Sequence, residues 1–441
     1  MADIVFVIPS VLNRGAGEKR LNITVDSLPD AFGKAADIMG DDFRRRVFEP
    51  DHTPRSLINV YINGKNAQFS GGMDAALSDG DEVYVLPAVA GGAQDLTSQE
   101  QNRYSRQVML EEIGYNGQIK LKEASACVVG TGGLGNPVAV RLVAMGVGTI
   151  RIIDRDVIEL SNLPRQIMFY EDDIGKVKVE AAAEKLRRLN RSCKVQAIGG
   201  SVNEYSAPDI VSGCDVVVDA LDSVNARYAL NKACVKANIP FVTGGAVGVS
   251  GQVFTVLPGK SACYHCMFPM LEEDSMPKCS IEGVHPAILS IIGGMEVSEA
   301  VKVILGQKPG FSEQMLHIDI GESVAFTRTR MFKAPECPVC GSGKAKATAS
   351  VDIITEELCG RSGGKRTFSL TPTDTFDIDM NKIRRIASQM GLTMENQGEM
   401  GVSLRNKDMY INILRRGSAM IVGADNTEGA LSIYRKITGH R

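Results

Sequence analysis

The chain has 441 residues, a length that suits about three domains of ordinary size. Its 49 lysines and arginines stand against 52 aspartates and glutamates, a net charge of −3, so no general basic field draws it to nucleic acid or an anionic membrane. Apolar residues at 44% and charged residues at 23% belong to a globular chain, not a disordered one.

In chain order, Ile4–Val11 and Lys19–Val25 read as a strand hairpin, and Asp30–Met39 as a helix stopped by Gly40. Leu57–Ile62 alternates as a strand and runs into the turn signal Asn63-Gly64; Asp79-Gly80 is a second turn before the strand Glu82–Leu86. The order strand, strand, helix, strand, strand is that of a β-grasp domain over residues 1–92, ending in Gly91-Gly92. Residues 93–102 are polar and read as a linker. Beyond it, short Val/Ile-rich runs (Ala124–Gly130, Gly148–Asp154, Lys194–Ile198, Asp215–Ala220) alternate with helical patterns at Asn136–Met145 and Lys176–Asn190. That alternation predicts a doubly wound α/β domain over 103–345. Residues 350–441 read as a small α+β unit, with a helix at Lys382–Met390, strands at Tyr410–Leu414 and Ala419–Val422, and a last helix capped by Asp425 with Glu428.

The start has no basic n-region and reads as a strand. The longest uncharged stretch, Ala237–Gly259, is broken by prolines and glycines, a poor membrane span. A cytoplasmic protein is expected, so the ten cysteines are read for metal and chemistry rather than as a disulfide framework.

Gly130-Thr131-Gly132-Gly133-Leu134-Gly135 sits between a strand and a helix, where backbone N–H groups can approach a phosphate. Asp154 ends the next strand, where a carboxylate can meet ribose hydroxyls. This pair fits NAD as well as ATP. Hydride transfer has no use, however, for the set Asp154-Arg155-Asp156, Ser161-Asn162-Leu163-Pro164-Arg165-Gln166, Lys178 and Asp222. Cleavage of ATP between its α and β phosphates does, since it needs cations for pyrophosphate and a carboxylate for Mg²⁺.

With Arg103-Tyr104-Ser105-Arg106-Gln107 ahead of them, these motifs resemble the ubiquitin-activating-enzyme superfamily, in particular its MoeB/ThiF-type adenylyltransferases, over about residues 100–345. The resemblance implies that Gly130, Gly132, Gly133 and Gly135 line the nucleotide, that Asp154 binds ribose, and that Asn162, Arg165, Gln166 and Lys178 hold phosphates. It implies Asp222 as the Mg²⁺ ligand and Arg106 as an arginine finger reaching the partner subunit of a homodimer. Ser223 departs from the asparagine that bacterial relatives carry after that aspartate.

Cys263-Tyr264-His265-Cys266 and Cys337-Pro338-Val339-Cys340 are two C-x-x-C pairs, a spacing that suits one tetrahedral Zn²⁺ and matches the family's zinc knuckle; His265 is then a bystander. Redox pairs and buried free thiols are the alternatives. Cys279 stands where the family has a crossover-loop cysteine that accepts the acyl group in some members and is dispensable in others; Cys359 is a weaker candidate. Cys127, Cys193, Cys214 and Cys234 are expected on strands or helices as core fillers.

The first domain resembles the ubiquitin-like sulfur carriers, through Asn59–Gly64, Leu77–Val83 and Pro87–Gly92. Such carriers are the family's substrates. Here Gly92 is followed by Ala93 and has no free carboxylate to adenylate. Three arrangements stay open: a protease cuts after Gly92, the fused domain occupies the groove while a separate carrier is the substrate, or fusion raises local concentration before a later cut. The expected activity is adenylation of a carrier's C-terminal glycine and transfer to sulfur, from a sulfur donor or Cys279. The rivals are a non-catalytic scaffold for ubiquitin-like proteins and a nicotinamide-dependent oxidoreductase. The C-terminal unit is compared by position alone with the domain that recruits conjugating enzymes, or is a dimerising appendage.

Overall fold

The computed structural model describes residues 1–13, 17–49, 54–55, 58–87, 96–271, 282–343, 351–358, 365–374 and 376–440. Gly91, Gly92, Cys279 and Cys359 lie outside the described residues. The chain divides into two units, Met1–Glu123 and Ala124–Arg441.

The first unit holds a five-stranded sheet in the order β2-β1-β5-β3-β4, made of β1 (Ala2–Ile8), β2 (Lys19–Val25), β3 (Ile58–Ile62), β4 (Lys65–Asn66) and β5 (Glu82–Pro87). β1 runs parallel to β5 and antiparallel to β2, a β-grasp arrangement. β1 stops at Ile8, short of the expected Val11. Pro9 brings no N–H to a ladder, and the chain turns at once into α1 (Ser10–Asn13), where Leu12 N donates to Pro9 O at 3.0 Å. α2 (Leu28–Met39) starts two residues before the expected Asp30, because Ser27 is the N-cap and Pro29 fits the first turn. Gly40, at φ +83°, ends it and leads directly into α3 (Asp41–Val47), a helix not foreseen. Phe6, Leu28, Phe32, Phe43 and Val83 form the core beneath these helices.

The polar run 93–102 is not all linker. Thr97 and Glu100 form a reciprocal cap, with Glu100 N to Thr97 Oγ1 at 3.2 Å and Thr97 N to Glu100 Oε2 at 2.8 Å, and α4 (Ser98–Val108) starts there. With α5 (Gly114–Glu123), it buries Tyr104, Val108 and Tyr115 against Val7, Tyr61, Tyr84 and Leu86. Alternation along β1 and β5 thus sends one set of side chains to each of two cores, and the sheet is covered on both faces.

The second unit is built on an eight-stranded sheet in the order β13-β12-β11-β10-β9-β6-β7-β8. β6 (Ser125–Val129), β7 (Thr149–Asp154), β8 (Lys194–Gly199), β9 (Val216–Asp219) and β10 (Phe241–Val247) are parallel. β11 (Ser250–Val256), β12 (Gln314–Asp319) and β13 (Ala325–Arg330) continue the sheet antiparallel. α6 (Gly135–Ala144), α7 (Lys178–Leu189), α8 (Ala207–Val211) and α9 (Val224–Ala237) connect the parallel strands, and α10 (Tyr264–Met267) and α11 (Pro286–Leu305) come after them. From β6 the chain winds outward through β7 to β8, then returns to β9 on the other side. That reversal opens a crevice at the carboxyl ends of β6, β7 and β9.

A second sheet, entirely antiparallel, closes the unit in the order β14-β15-β19-β18-β17-β16. Its strands are β14 (Ile353–Leu358), β15 (Thr367–Pro372), β16 (Thr393–Gln397), β17 (Gly401–Arg405), β18 (Tyr410–Leu414) and β19 (Ala419–Val422). α12 (Met380–Gln389) and α13 (Thr427–Thr438) cover it, with Phe368, Ile383, Ile411, Ile421 and Tyr434 in the core. Asp425 does not cap α13. Asn426 does, accepting from Gly429 N at 2.8 Å, one residue beyond the expected start. Cys193 and Cys214 lie in the turn before β8 and the loop before β9, not within elements, yet both are buried, as are Cys127 and Cys234. Among the described residues, no helix is long and apolar enough to cross a membrane.

Candidate active site and metal centre

The glycine loop comes directly after β6. Gly130 has φ +93°, and a Cβ on it would stand 2.7 Å from the Ala220 carbonyl oxygen. A Cβ on Gly135 would stand 1.8 Å from the Gly130 carbonyl oxygen. Only glycine lets the loop fold this tightly between the ends of β6 and β9 and deliver the N-terminus of α6 to the crevice. Gln166 lies over Gly132, 3.9 Å from where a Cβ would be.

Asp154 ends β7 and is nearly buried. Its Oδ2 accepts from Thr131 N and Thr131 Oγ1, each at 2.8 Å, so one carboxylate links the strand end to the glycine loop. Its Oδ1 accepts from Asp156 N at 2.8 Å. Asp156 in turn holds Lys178, the buried first residue of α7, with Nζ to Oδ2 at 3.1 Å and Lys178 N to Asp156 O at 2.9 Å. Asn162 is buried in the short 3-10 turn after this loop, its Oδ1 accepting from Glu159 N at 3.1 Å; Arg165 donates to Ser161 O at 2.6 Å. The structure therefore brings the glycine loop, Asp154, Lys178 and Gln166 to one crevice.

Among the described residues, two buried polar atoms there have no partner: Asn136 Nδ2, a donor, and Gln166 Oε1, an acceptor. No sequence motif marks Asn136. It is the second residue of α6, and its Oδ1 accepts from Met168 N at 3.0 Å. An orphan donor and an orphan acceptor beside a glycine cradle fit a ligand that both accepts and donates, as a nucleotide does.

Asp222 is exposed, two residues after the Ala220 carbonyl that packs on Gly130. A buried ion pair steadies its loop. Arg227 Nη1 contacts Asp219 Oδ2 at 3.1 Å and Thr243 Oγ1 at 3.0 Å, while its Nη2 donates to the carbonyl of Leu221. Leu221 N returns to Asp219 Oδ1 at 3.0 Å. Burial pushes the Asp219 carboxyl up, with Arg227 and Thr243 opposing it. Nothing in the motif spacing marks Arg227; only the fold shows what it holds.

Arg106 lies on α4, in the first unit. Its guanidinium donates to the carbonyl of Asn63 and lies over Gly64.

The two C-x-x-C pairs converge. Sγ atoms of Cys263 and Cys337 are 3.6 Å apart, Cys266 and Cys340 3.4 Å, Cys263 and Cys266 3.8 Å, and all four lie within 4.8 Å of one another. A tetrahedral ion with Zn–S bonds of about 2.3 Å needs sulfurs about 3.8 Å apart, so the set fits. Burial raises the Cys340 thiol to about 11, whereas hydrogen bonds to its sulfur outweigh burial and lower the Cys337 thiol; a soft divalent cation would hold Cys340 as a thiolate at neutral pH. Ala334 N and Val339 N point at Cys266 and Cys337 sulfurs, at 3.4 and 3.5 Å. His265 is not in the group; its ring lies 5.5 Å from that of Tyr228.

Residues 104–339, more than half of the chain, match the ThiF family. The chain belongs to that family. Ahead of this ThiF region, residues 22–92 match the ThiS family, so carrier-type and activating-type domains share one chain. It is 40% identical over 267 residues to the adenylyltransferase and sulfurtransferase MOCS3 of Drosophila persimilis, covering 60% of this chain and 58% of that one. It thus spans little more than half the length of that relative. Two shorter relatives are covered almost whole. The SAMP-activating enzyme E1 of Haloferax volcanii is 35% identical over 268 residues, 60% of this chain and 98% of its own. The sulfur carrier protein ThiS adenylyltransferase of Bacillus subtilis is 34% identical over 348 residues, 76% and 99%. Among solved structures, that of E. coli MccB aligns with TM-score 0.50 and 27% identity over 60% of this chain and 78% of its own.

Proposed function

We propose that this chain adenylates the C-terminal glycine of a ubiquitin-like carrier and passes the activated acyl group to sulfur. The observation that carries this is the crevice of the second unit: glycine loop, Asp154, Gln166 and Lys178 gathered around two orphan polar atoms, in a chain that also contains a carrier-type domain. The relatives' names, adenylyltransferase and activating enzyme, support the same chemistry.

In the reaction, the carrier's terminal carboxylate attacks the α-phosphorus of ATP, and the bond to the β-phosphate oxygen breaks. Pyrophosphate leaves with its charge, and an acyl adenylate remains. The α6 N-terminus and loop N–H groups face the phosphates. Asp154 orients the ribose. Lys178, Arg165, Asn162 and Gln166 hold the phosphate chain. Asp222 would hold a Mg²⁺, which would supply positive charge against that growing on pyrophosphate. Arg106 supplies a further cation from a homodimer partner. A sulfur nucleophile, either a donor's persulfide or Cys279, then attacks the acyl carbon and AMP leaves. Cys263, Cys266, Cys337 and Cys340 would hold a structural Zn²⁺. The residues supply binding and orientation; the nucleophile is already ionised at neutral pH and needs no general base.

Gly92 must carry a free carboxylate before it can react. In this reading a protease cut after Gly92 turns the fused domain into substrate. The test is ATP–pyrophosphate exchange by the intact chain, and by the same chain cut so that Gly92 becomes a C-terminus. Exchange only after the cut is expected. Exchange by neither, but by the intact chain given a separate carrier, would make the fused domain a groove occupant. No exchange with any carrier, together with tight NAD(H) binding, would overturn the reading.

A further inference from the structure

The C-terminal antiparallel sheet has no assigned task, yet it grips three segments at the carboxyl ends of β7 and β8. On the loop after β7, Arg155 Nη1 contacts Glu356 Oε2 at 2.9 Å and Ser369 Oγ at 3.2 Å. After β8, Thr371 Oγ1 meets Ser201 Oγ at 3.0 Å. Around the start of α7, Ser403 Oγ donates to Gly175 O at 3.2 Å, and Glu180 accepts from Glu399 N at 2.8 Å and Met400 N at 3.3 Å. Two of these three segments, the loop after β7 and the start of α7, carry Asp156 and Lys178 and adjoin Asp154.

Arg155 is the informative residue. It stands between Asp154 and Asp156 in the chain, and its guanidinium is in contact with Glu356 at 2.9 Å. Burial alone would lower its pKa, but the charges of Glu356, Asp156 and Asp222 more than reverse that. Of the three, Glu356 is the one in contact at 2.9 Å, and it comes from the C-terminal sheet. The other two have work elsewhere: Asp156 holds Lys178 at 3.1 Å, and Asp222 is the carboxylate assigned to the metal on ATP. A guanidinium deprived of Glu356 would turn to one of them. Toward Asp156 it displaces Lys178; toward Asp222 it competes with Mg²⁺.

We propose that Glu356, helped by Ser369, is a positioning residue for nucleotide binding: it keeps the Arg155 guanidinium on the C-terminal sheet and off Asp156 and Asp222. The C-terminal sheet is then a further wall of the nucleotide site, built in cis. The inference rests on the adenylation reading of the crevice.

The test is equilibrium binding of ATP with Mg²⁺ by the full chain, titrated calorimetrically at several Mg²⁺ concentrations. Glu356→Gln keeps the shape and removes the charge. It is expected to weaken Mg²⁺–ATP binding about tenfold, the scale of a lost charge-assisted hydrogen bond, and to raise the Mg²⁺ needed for half-saturation. Glu356→Asp should recover part of the loss. The decisive variant is the double substitution Arg155→Met with Glu356→Gln. With the cation gone nothing competes for Asp156 or Asp222, and affinity should return toward wild type. Thr371→Val loosens the same interface without touching Arg155 and should leave the Mg²⁺ dependence unchanged. Wild-type affinity in Glu356→Gln, no recovery in the double variant, or an equal loss in Thr371→Val would each overturn the inference. A wild-type chain that takes up no Mg²⁺–ATP would instead sink the adenylation reading on which it stands.

Discussion

The guanidinium of Arg106 donates to the carbonyl of Asn63, at the turn where Asn63 and Gly64 both take left-handed backbone, φ +48° and +72°. The residue proposed as an arginine finger is thus lodged on the hairpin turn of its own chain's β-grasp unit. A Cβ on Gly64 would stand 2.2 Å from Arg106 Nη1 and 2.8 Å from Met109 Sδ. Gly64→Ala should therefore cost the roughly 1 kcal/mol of a left-handed alanine plus a small excess for swinging these two flexible side-chain ends aside. Arg106→Ala should remove part of that excess. A urea-unfolding cycle of the two single variants and the double one checks this. Additive effects would show that Arg106 does not press on Gly64 in solution.

Metal analysis should find one zinc per chain. Cys340→Ser, or prolonged chelation, should lower the unfolding temperature by about 5–10 °C, since the site joins segments of one core. Unchanged melting after complete zinc removal would reduce the four thiols to packing.

Glu296 on α11 is fully buried, lies against the Gly244 backbone, and among the described residues its carboxyl has no side-chain hydrogen-bond partner. Burial holds its pKa well above the usual value of 4.5; Asp219 adds to the rise and Arg227 offsets part of it. A carboxyl with a raised folded pKa binds its proton more tightly in the folded chain. Its stabilising share is full below the unfolded pKa and is lost as pH rises through the folded one. Glu296→Gln, neutral at every pH, should melt close to wild type near pH 4.5 and progressively above it toward pH 8. Thermal unfolding across that range decides it. Parallel curves would mean that Glu296 ionises alike in both states.

Asp222→Ala should abolish pyrophosphate exchange and leave thermal unfolding within about 0.5 kcal/mol of wild type, because the side chain is exposed. Normal exchange would remove its metal role. Arg227→Met should damage both, because it also empties the buried pair with Asp219 at 3.1 Å.

Cys279→Ala separates two steps. Adenylation should continue and acyl transfer stop if the thiol is the acceptor. Full transfer by the variant would assign the sulfur to an outside donor.

Much of the second unit was legible because its signals are local. The Val/Ile runs at 125–129, 149–154 and 216–219 are buried strands, and the glycines at 130–135 fall where a tight strand–helix turn requires them. The cysteine pairs were legible as spacing, and the structure brings them together. What escaped was either single-residue backbone chemistry or contact across long separations. Pro9 ended a strand that the apolar pattern extended, and the Thr97–Glu100 cap hid inside a run read as linker. Arg227, Asn136 and Glu356 carry no motif. Asn136 and Glu356 are defined by partners 32 and 201 residues away, beyond any window along the chain, and Arg227 meets Asp219, 8 residues earlier, only because a strand end and the helix after it pack together.

The thiol cluster also has a topological consequence. Cys263 and Cys337 are 74 residues apart, so a metal held by both closes a long loop containing α11 and the β12–β13 hairpin. A crosslink over such a loop removes chain freedom worth about 4 kcal/mol from the unfolded state. A disulfide would do the same, but undoing it takes a reductant. A metal staple would be undone by competition for the ion, which would tie the lifetime of this half of the fold to metal supply.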